Sequence, residues 1–172
     1  GRNLYFSLLL RPAESSGTRI PQLTMLAAVA LHKTLCDIAP NLPLGLKWPN
    51  DVWVNNKKIS GILCENIGGE NPGIIIGIGL NVNSCSADFP PELQDIATSL
   101  AILTGHDFDR TLILVTFLEY FVEDYKNWSH GDSSQLFAYW NANDILKGRK
   151  IEISDQKNTI NGIADGINDC GF

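Results

Sequence analysis

The sequence predicts an α+β fold, in which helices pack on one face of a mixed, largely antiparallel sheet and a smaller β unit follows. Three observations predict it. Alternating apolar runs flank an Asn-Asn pair within residues 51–63, a glycine-interrupted apolar run spans residues 73–83, and residues 18–38 and 111–128 carry apolar side chains at helical spacing. Hairpin-forming strands beside long amphipathic helices are typical of the α+β class.

The first two elements are a strand and a long helix. Tyr5 and Ser7 within residues 4–10, followed by Arg11-Pro12, fit a strand that leads to a turn. The helix of residues 18–38 starts near Pro21 and ends before the next proline. We expect it to pack on the sheet because its body is strongly apolar: Leu23, Met25, Leu26, Val29, Leu31 and Leu35.

A two-residue hairpin loop is predicted at Asn55-Asn56, because asparagine tolerates the left-handed backbone that such loops require. With regular alternation, Trp53 faces Lys58 and Asp51 faces Ser60, so these four side chains share one side of the hairpin. We expect that side to carry chemistry. The other side belongs to the core and is apolar: Val52, Val54 and Ile59.

The same hairpin brings charged and amide side chains together. Residues 47–51 read Lys-Trp-Pro-Asn-Asp, and Lys58 follows seven positions after Asp51. Cations, a carboxylate and a carboxamide therefore lie within reach of one another. The alternative is that Lys57 and Lys58 are solvated lysines at an exposed turn, as paired lysines at hairpin tips usually are, and this segment alone favours that alternative.

Glycines interrupt the run of residues 73–83 at alternate positions, so Gly77 and Gly79 share one face of a strand. Glycine weakens a strand interior, and two on one face indicate that something flat approaches the backbone, either a ligand or a second packed backbone. The run lacks the spacing of a dinucleotide-binding loop and the ending of a phosphate-binding loop. Asn81 and Asn83 at its end are more often turn formers than ligands.

The remaining chain is predicted to contain a loop, further helices and short strands. Residues 84–92 form the loop, and residues 111–128 form the second long helix. Short strands are expected over residues 150–154 and 159–164. Another short helix is indicated by an aromatic stripe that we assign to the core: Phe137, Tyr139 and Trp140.

Composition limits the classes of function. The chain has 172 residues, 44% of them hydrophobic, which suits one average domain with a substantial core. Its net charge of −6 and its scattered Lys and Arg argue against nucleic-acid binding through this region. No stretch approaches the roughly 20 apolar residues of a membrane helix. Its four cysteines and three histidines lack metal-ligand, disulfide-framework or catalytic spacing, so thiols in a reducing, cytoplasmic compartment are expected.

Three segments resemble the catalytic core of biotin protein ligases: Lys-Trp-Pro-Asn-Asp at 47–51, Lys-Lys-Ile-Ser-Gly-Ile-Leu-Cys-Glu at 57–65 and Ile-Gly-Ile-Gly-Leu-Asn-Val-Asn at 76–83. Lipoate protein ligases share the fold, but the first segment belongs to the biotin branch. The resemblance implies the class II synthetase-like biotin/lipoate ligase fold. It also implies a catalytic domain over residues 1–146 and part of a C-terminal SH3-like β-barrel over residues 147–172.

The resemblance implies a reaction in two steps. Biotin's carboxylate attacks the α-phosphate of ATP, giving biotinyl-adenylate and pyrophosphate, and a lysine on the biotin carboxyl carrier domain of a biotin-dependent carboxylase then takes the biotinyl group. Mg²⁺ is implied with the ATP. Exposed strand edges leave a homodimer open. Two alternatives also stay open: a biotin-binding module that has lost catalysis, and a lipoate-type ligase.

The resemblance also assigns roles to residues. Lys58 and Lys47 are the expected catalytic lysines, which offset charge on the reacting carboxylate and phosphate. Asp51 is expected either to bind Mg²⁺ or to orient a lysine. The expected ATP contacts are Lys47, Asn50, Asp51 and Asn81, and the expected biotin contacts are Lys58, Gly61, Ile62, Leu63, Gly77 and Gly79.

The family carries a glycine- and arginine-rich loop that closes over biotin and its adenylate. Gly1-Arg2-Asn3 corresponds to the stretch after that loop, so Arg2 is not one of the loop's arginines. We therefore expect the chain to be a fragment of a longer protein. Residues 84–92 are expected to be either a plain surface connection or a loop that orders over the nucleotide.

Overall fold

The computed structural model describes residues 1–12, 20–154, 159–168 and 171. Its α-helices are α1 (Ile20–Ile38), α2 (Leu100–Thr104), α3 (Arg110–Ser129) and α4 (Ser134–Asn143). Two short 3-10 turns, Ser86–Asp88 and Pro91–Leu93, lie in the predicted loop. Its strands are β1 (Leu4–Leu10), β2 (Leu44–Lys47), β3 (Asp51–Val54), β4 (Lys57–Ile67), β5 (Gly73–Leu80), β6 (Lys150–Ser154) and β7 (Thr159–Ile163).

Strands β1 to β5 form one sheet in the order β1-β5-β4-β3-β2, and every neighbouring pair is antiparallel. Among the described residues, parallel pairing occurs only as isolated bridges, Leu46 with Asp144 and Lys58 with Ala97. The predicted α+β fold with a largely antiparallel sheet is confirmed, and its parallel part is limited to these bridges.

Helix α1 packs on one face of the sheet and forms the centre of the core. It contacts β2 to β5 on one side and α3 and α4 on others. A helix surrounded in this way has to be apolar nearly all round, and α1 is buried almost continuously from Leu23 to Leu35. The opposite face of the sheet carries none of the described helices. The inward residues of the sheet meet α1: Val52, Val54, Ile59, Ile62, Ile76, Ile78 and Leu80.

Helices α1, α3 and α4 lie where the apolar spacing predicts them, whereas the short helix α2 was not predicted. Residues 18 and 19 of the first predicted helix lie outside the described residues. Helix α3 begins directly after Asp109, whose side chain accepts two backbone hydrogen bonds from the first turn. The aromatic stripe of α4 is part of the core as predicted, because Phe137 and Trp140 are buried.

The predicted hairpin joins β3 and β4. Asn55 and Asn56 have φ angles of 49° and 62°, which confirms the left-handed two-residue loop. Trp53 pairs with Lys58 directly beyond the loop, also as predicted.

A β-bulge at Ile59 changes the pairing further from the loop. Asp51 pairs with Gly61, so the predicted pairing of Asp51 with Ser60 is wrong. The extra residue sends both Ile59 and Ser60 to the buried side, where the Ser60 hydroxyl donates to Gly79 O at 2.7 Å. Alternation resumes after the bulge, one residue out of phase with the prediction.

Strands β6 and β7 form a separate two-stranded antiparallel hairpin. They match the strands predicted over residues 150–154 and 159–164 to within one residue. The described part of the chain has no named strand after β7. The SH3-like barrel and the domain boundary after residue 146 therefore stay predictions.

Three cysteines, Cys36, Cys64 and Cys85, are free thiols, and Cys170 lies outside the described residues. Across the described ranges, no cluster of three or more His, Cys, Asp or Glu side chains is placed to hold a metal ion. None of the described helices combines the length and hydropathy that a membrane span requires.

His32 is a buried histidine in α1. The residue is 2% exposed, and its Nδ1 lies 3.0 Å from the Tyr139 hydroxyl. Burial lowers the pKa of His32 from its ordinary value, against a smaller raising effect of the Leu44 backbone. The folded protein therefore favours the neutral imidazole.

We expect the stability of the chain to fall as the pH drops below about 6.5, the ordinary pKa of histidine. The pKa of His32 is lower in the folded state than in the unfolded state, so the unfolded chain takes up the proton first. The stabilisation is complete above the unfolded pKa and is lost as the pH falls through the folded pKa. Urea unfolding from about pH 8 to about pH 5 measures this loss.

The substitution His32→Gln is expected to flatten this pH dependence, because it removes the titrating group. A slope that stays the same in His32→Gln would show that another group causes the acid sensitivity.

Candidate functional site

The face of the sheet opposite to α1 carries a cleft of about 560 Å³. Its floor is the outer surface of β1, β5 and β4. Across these strands, Gly79 lies between Tyr5 and Gly61, and Gly77 lies between Ser7 and Leu63. The floor is therefore flat at its centre and bounded by larger side chains at its edges.

All six predicted biotin contacts line the cleft: Lys58, Gly61, Ile62, Leu63, Gly77 and Gly79. Of the predicted ATP contacts, Asn50 lines the cleft, whereas Lys47, Asp51 and Asn81 lie outside its wall.

Sequence reasoning missed Tyr5 and Ser7, which line the cleft from β1 together with Phe6, and it missed Ile78 on β5. The period of two along β1 is a signal that Tyr5 and Ser7 share a face. Only the pairing of β1 with β5 shows that this face adjoins the glycines.

Gly77 and Gly79 differ in what the fold requires of them. A Cβ at Gly79 would come within 3.3 Å of the Tyr5 ring, a tight contact that requires a small shift of that exposed ring. A Cβ at Gly77 would meet only ordinary contacts, the nearest being Leu63 O at 3.7 Å. The fold has room for a Cβ at Gly77, so packing does not require glycine there. The missing side chain leaves the floor of the cleft open.

The bulge in β4 places Lys58 on the face of the glycine floor. In a regular strand Lys58 and Gly61 would point to opposite faces, because they are three positions apart. With Ile59 and Ser60 both buried, Lys58, Gly61 and Leu63 all face outward. The local irregularity therefore brings the ammonium to the cleft.

Lys58 forms an ion pair with Asp51 at the edge of the floor, where its Nζ lies 2.6 Å from Asp51 Oδ1. The Asp51 side chain is 16% exposed and the Lys58 side chain 43%, so the carboxylate is the sheltered partner and the ammonium reaches the cleft. Within the described residues Asp51 Oδ1 has no regular hydrogen bond, and the charge of Lys58 compensates its burial.

Gly61 makes room for this ion pair. A Cβ at Gly61 would lie 2.8 Å from Lys58 Nζ and 2.9 Å from Lys58 Cε, closer than real Cβ contacts. The absence of a side chain therefore lets the lysine cross the strand to reach Asp51. Sequence reasoning predicted Gly61 as a biotin contact, and this spacing role is an additional finding.

Lys47 lies next to the ion pair through Trp53. The Trp53 indole N–H donates to Asp51 Oδ2 at 3.3 Å, and Lys47 Nζ lies 3.7 Å from the centroid of the Trp53 ring. Such a cation–π contact contributes about 0.5 to 1 kcal/mol when it is exposed. The two candidate catalytic lysines are thus connected through Asp51 and Trp53.

Two of the predicted ATP contacts fix the backbone beside the cleft. Asn50 Nδ2 donates to Ile62 O at 2.6 Å, and Asn81 Nδ2 donates to Thr98 O at 3.0 Å. Both amides therefore hold neighbouring segments in place. Their contacts with ATP stay predictions.

The residues present do not form a Mg²⁺ site on their own. Asp51, the predicted ligand, directs Oδ1 to Lys58 and Oδ2 to Trp53. Magnesium requires octahedral oxygen ligands, and the described residues offer no cluster of three acidic, His or Cys side chains. Of the two predicted roles for Asp51, the geometry favours orientation of a lysine.

Comparison with known proteins agrees with this arrangement. Residues 1–83 match the model of the Biotin/lipoate A/B protein ligase family. The chain is also 31% identical to the biotin-(acetyl-CoA-carboxylase) ligase of Paracoccus denitrificans, with coverage of 98% of this chain and 72% of that protein. The chain belongs to the biotin protein ligase family.

Two further members of the biotin protein ligase family show the extent of the similarity. The bifunctional ligase/repressor BirA of Bacillus spizizenii is 37% identical over 99% of this chain and 53% of its own length, so this chain spans about half of that relative. The biotin protein ligase of Aquifex aeolicus, solved in complex with biotin and ATP, has a TM-score of 0.86 and 31% identity over 97% of this chain and 68% of that one. The predicted family and its fold are confirmed.

In this biotin protein ligase family member, Gly61→Ala is expected to displace the Lys58 ammonium from Asp51 without unfolding the chain. The added methyl group would meet the flexible end of a lysine, so the chain should still fold, but the free energy of unfolding should fall by about 1 to 3 kcal/mol because Asp51 Oδ1 loses its partner. A crystal structure of the variant should place Lys58 Nζ beyond about 4 Å from Asp51 Oδ1.

Gly68→Ala is the matched control, because a Cβ at Gly68 would meet nothing within 4 Å. It should leave the ion pair intact. An ion pair that persists unchanged in Gly61→Ala would contradict the spacing role of Gly61.

Proposed function

We propose that the protein activates biotin with ATP and transfers the biotinyl group to a lysine of a carboxylase carrier domain. One observation carries the proposal: a flat glycine floor has a lysine ammonium held at its edge, in a cleft of about 560 Å³. The names of the relatives support it, since one is a ligase for biotin and acetyl-CoA carboxylase and another was solved with biotin and ATP.

The floor suits the fused rings of biotin. A flat bicyclic ring system needs close approach to a backbone, which Gly77 and Gly79 allow, and an apolar border, which the exposed Leu63 side chain supplies. Ile62 also lines the cleft, but its side chain is buried in the core. Placed in this way, biotin extends its carboxylate along β4 toward Lys58. The floor thus selects the ring shape, and the lysine lies where the carboxylate reacts.

Lys58 is assigned to the adenylation step. A carboxylate oxygen of biotin forms a bond to the α-phosphorus of ATP, and the bond from that phosphorus to the bridging oxygen breaks, releasing pyrophosphate. Two anions have to approach for this to happen, and an ammonium beside them lowers their repulsion and stabilises the transition state by about 3 kcal/mol. The ion pair with Asp51 keeps that ammonium in place before the substrates bind.

Lys47, Asn50 and Asn81 are assigned to the ATP side of the site. Lys47 supplies a second positive charge near the phosphates, and the amides of Asn50 and Asn81 offer polar groups to the nucleotide. Mg²⁺ is assigned to the ATP phosphates and not to a protein cage, in keeping with the engaged carboxylate of Asp51.

The carrier domain is the partner in the second step. The neutral amine of its lysine attacks the acyl carbon of biotinyl-adenylate, AMP leaves with the bonding electrons, and the new amide nitrogen loses a proton to solvent. The edge strand β1 leaves the sheet open to pairing with a second copy of the chain, so a homodimer belongs to the proposal. A reducing, ATP-containing compartment such as the cytoplasm suits both the reaction and the free thiols.

The chain is expected to release pyrophosphate from Mg-ATP in the presence of biotin and not of lipoate. Lys58→Ala should lower the rate by about 100-fold to 1,000-fold while biotin binding largely remains, because the lost charge acts mainly in the transition state. Coupled pyrophosphate detection measures the rate, and calorimetric titration measures biotin binding.

Lys57→Ala is the matched control. Lys57 precedes Lys58 directly but donates to Gln94 O at 2.7 Å, away from Asp51, so its loss should leave the rate unchanged. Release with lipoate alone would assign the chain to the lipoate branch. Biotin binding without release would identify a binding module.

Gly77→Ala is expected to separate stability from ligand binding. The free energy of unfolding should stay the same or rise by about 0.5 to 1 kcal/mol, because the site accepts a Cβ and alanine loses less backbone entropy on folding. Biotin affinity should fall by about tenfold to 100-fold, since the methyl group enters the floor.

Thermal unfolding and biotin titration on the same preparation check both parts of this expectation. Gly162→Ala in β7 is the control, because a Cβ there would meet nothing within 4 Å. Unchanged biotin affinity in Gly77→Ala would place the ring system elsewhere.

A further inference from the structure

Trp53 lies on the outer face of β3, beside the cleft and outside its wall. We propose that Trp53 is a positioning residue, whose indole holds Asp51 and Lys47 so that both lysines keep fixed places at the site. This inference rests on the proposed adenylation reaction. It concerns a residue that does not touch the cleft.

The first contact of Trp53 fixes the partner of Lys58. Its Nε1–H donates to Asp51 Oδ2 at 3.3 Å, while Asp51 Oδ1 faces Lys58 Nζ at 2.6 Å. With its two oxygens engaged on different sides, the carboxylate cannot rotate about its terminal bond without losing one of these contacts. The direction of the Lys58 ammonium therefore depends on the indole N–H.

The second contact restrains Lys47. Its Nζ lies 3.7 Å from the centroid of the Trp53 ring, well within the range of cation–π attraction. A lysine has a long, flexible side chain, and an aromatic face reduces the number of places its ammonium visits. The same ring that aligns Asp51 thus also holds the second lysine.

Packing alone does not explain a tryptophan at this position. The neighbours Val52 and Val54 point inward and are buried, whereas Trp53 is half-buried on the opposite face. Trp53 is not among the described residues that pack against the core. The contacts that engage it are a carboxylate and an ammonium, which are the groups the proposed reaction needs.

Two substitutions separate the contact of Trp53 with Asp51 from its contact with Lys47. Trp53→Phe keeps an aromatic face for Lys47 but removes the N–H that aligns Asp51, and Trp53→Leu removes both. Trp128→Phe is the matched control, because Trp128 also donates its indole N–H to a side chain, Gln22 Oε1 at 2.9 Å, where α3 packs against α1. Thermal unfolding of all three variants checks that each one folds.

Nuclear magnetic resonance of the 172-residue chain tests the arrangement without any reaction. The Cε protons of Lys47 should resonate upfield of ordinary lysine values because of the ring current of Trp53. That shift should persist in Trp53→Phe and Trp128→Phe and disappear in Trp53→Leu. A Lys47 signal at the ordinary position in the native chain would overturn the inference.

Kinetics test the consequence for the reaction. Trp53→Phe should lower kcat for biotin-dependent pyrophosphate release by about tenfold, the effect of losing one hydrogen bond to a charged group, and Trp53→Leu should lower it further. KM for biotin should stay within about threefold in both variants, since the indole does not touch the cleft. Trp128→Phe should retain the native kcat.

The outcomes separate the two proposals. No release by the native chain would contradict the proposed function, whatever the Lys47 signal shows. Native release with an unchanged kcat in Trp53→Leu would overturn the positioning role alone. A loss confined to KM would also overturn it, because it would make Trp53 part of the substrate-binding surface.

Discussion

The arrangement of the cleft depends on one extra residue in β4. The bulge at Ile59 shifts the alternation of the strand, so that Lys58 and Gly61 face the same side of the sheet. Without it, one of the two would point toward α1, and an ammonium there would lose its hydration in an apolar core. A single irregularity therefore keeps the core apolar and gathers the polar groups outside.

The two faces of the sheet have different roles. The inner face and α1 form an almost purely apolar layer, which fixes the strands relative to one another. The outer face then carries its functional groups at positions set by strand pairing: Asp51 on β3, Lys58 on β4 and Gly77 on β5. Groups held on strands are placed more accurately than groups on loops.

Short-range patterns were sufficient to predict most elements and part of the site. The Asn55-Asn56 loop follows from backbone preference, the helices follow from apolar spacing, and the shared face of Gly77 and Gly79 follows from the period of a strand. The bulge could not be predicted, because Ile59 and Ser60 fit regular alternation as well as they fit a bulge. Their burial on one side is decided by packing against α1.

The contribution of β1 to the site could not be predicted from the sequence for a different reason. Tyr5 and Ser7 reach the glycines only because β1 pairs with β5, which lies far away along the chain. The register of such a pair is chosen by the whole buried face and has no local signature. The link from Lys47 to Asp51 through Trp53 is likewise a product of side-chain placement, which the pairing of β2 with β3 makes possible.

At its centre the cleft can be made shallower by substitution but not deeper, because its floor consists of glycines. No substitution at Gly61, Gly77 or Gly79 can deepen it, because glycine already contributes no side chain. Every substitution there leaves less room in the cleft. Room for a bulkier ligand has to come from the rim, where the Leu63 and Tyr5 residues are 59% and 70% exposed and can be shortened without opening the core.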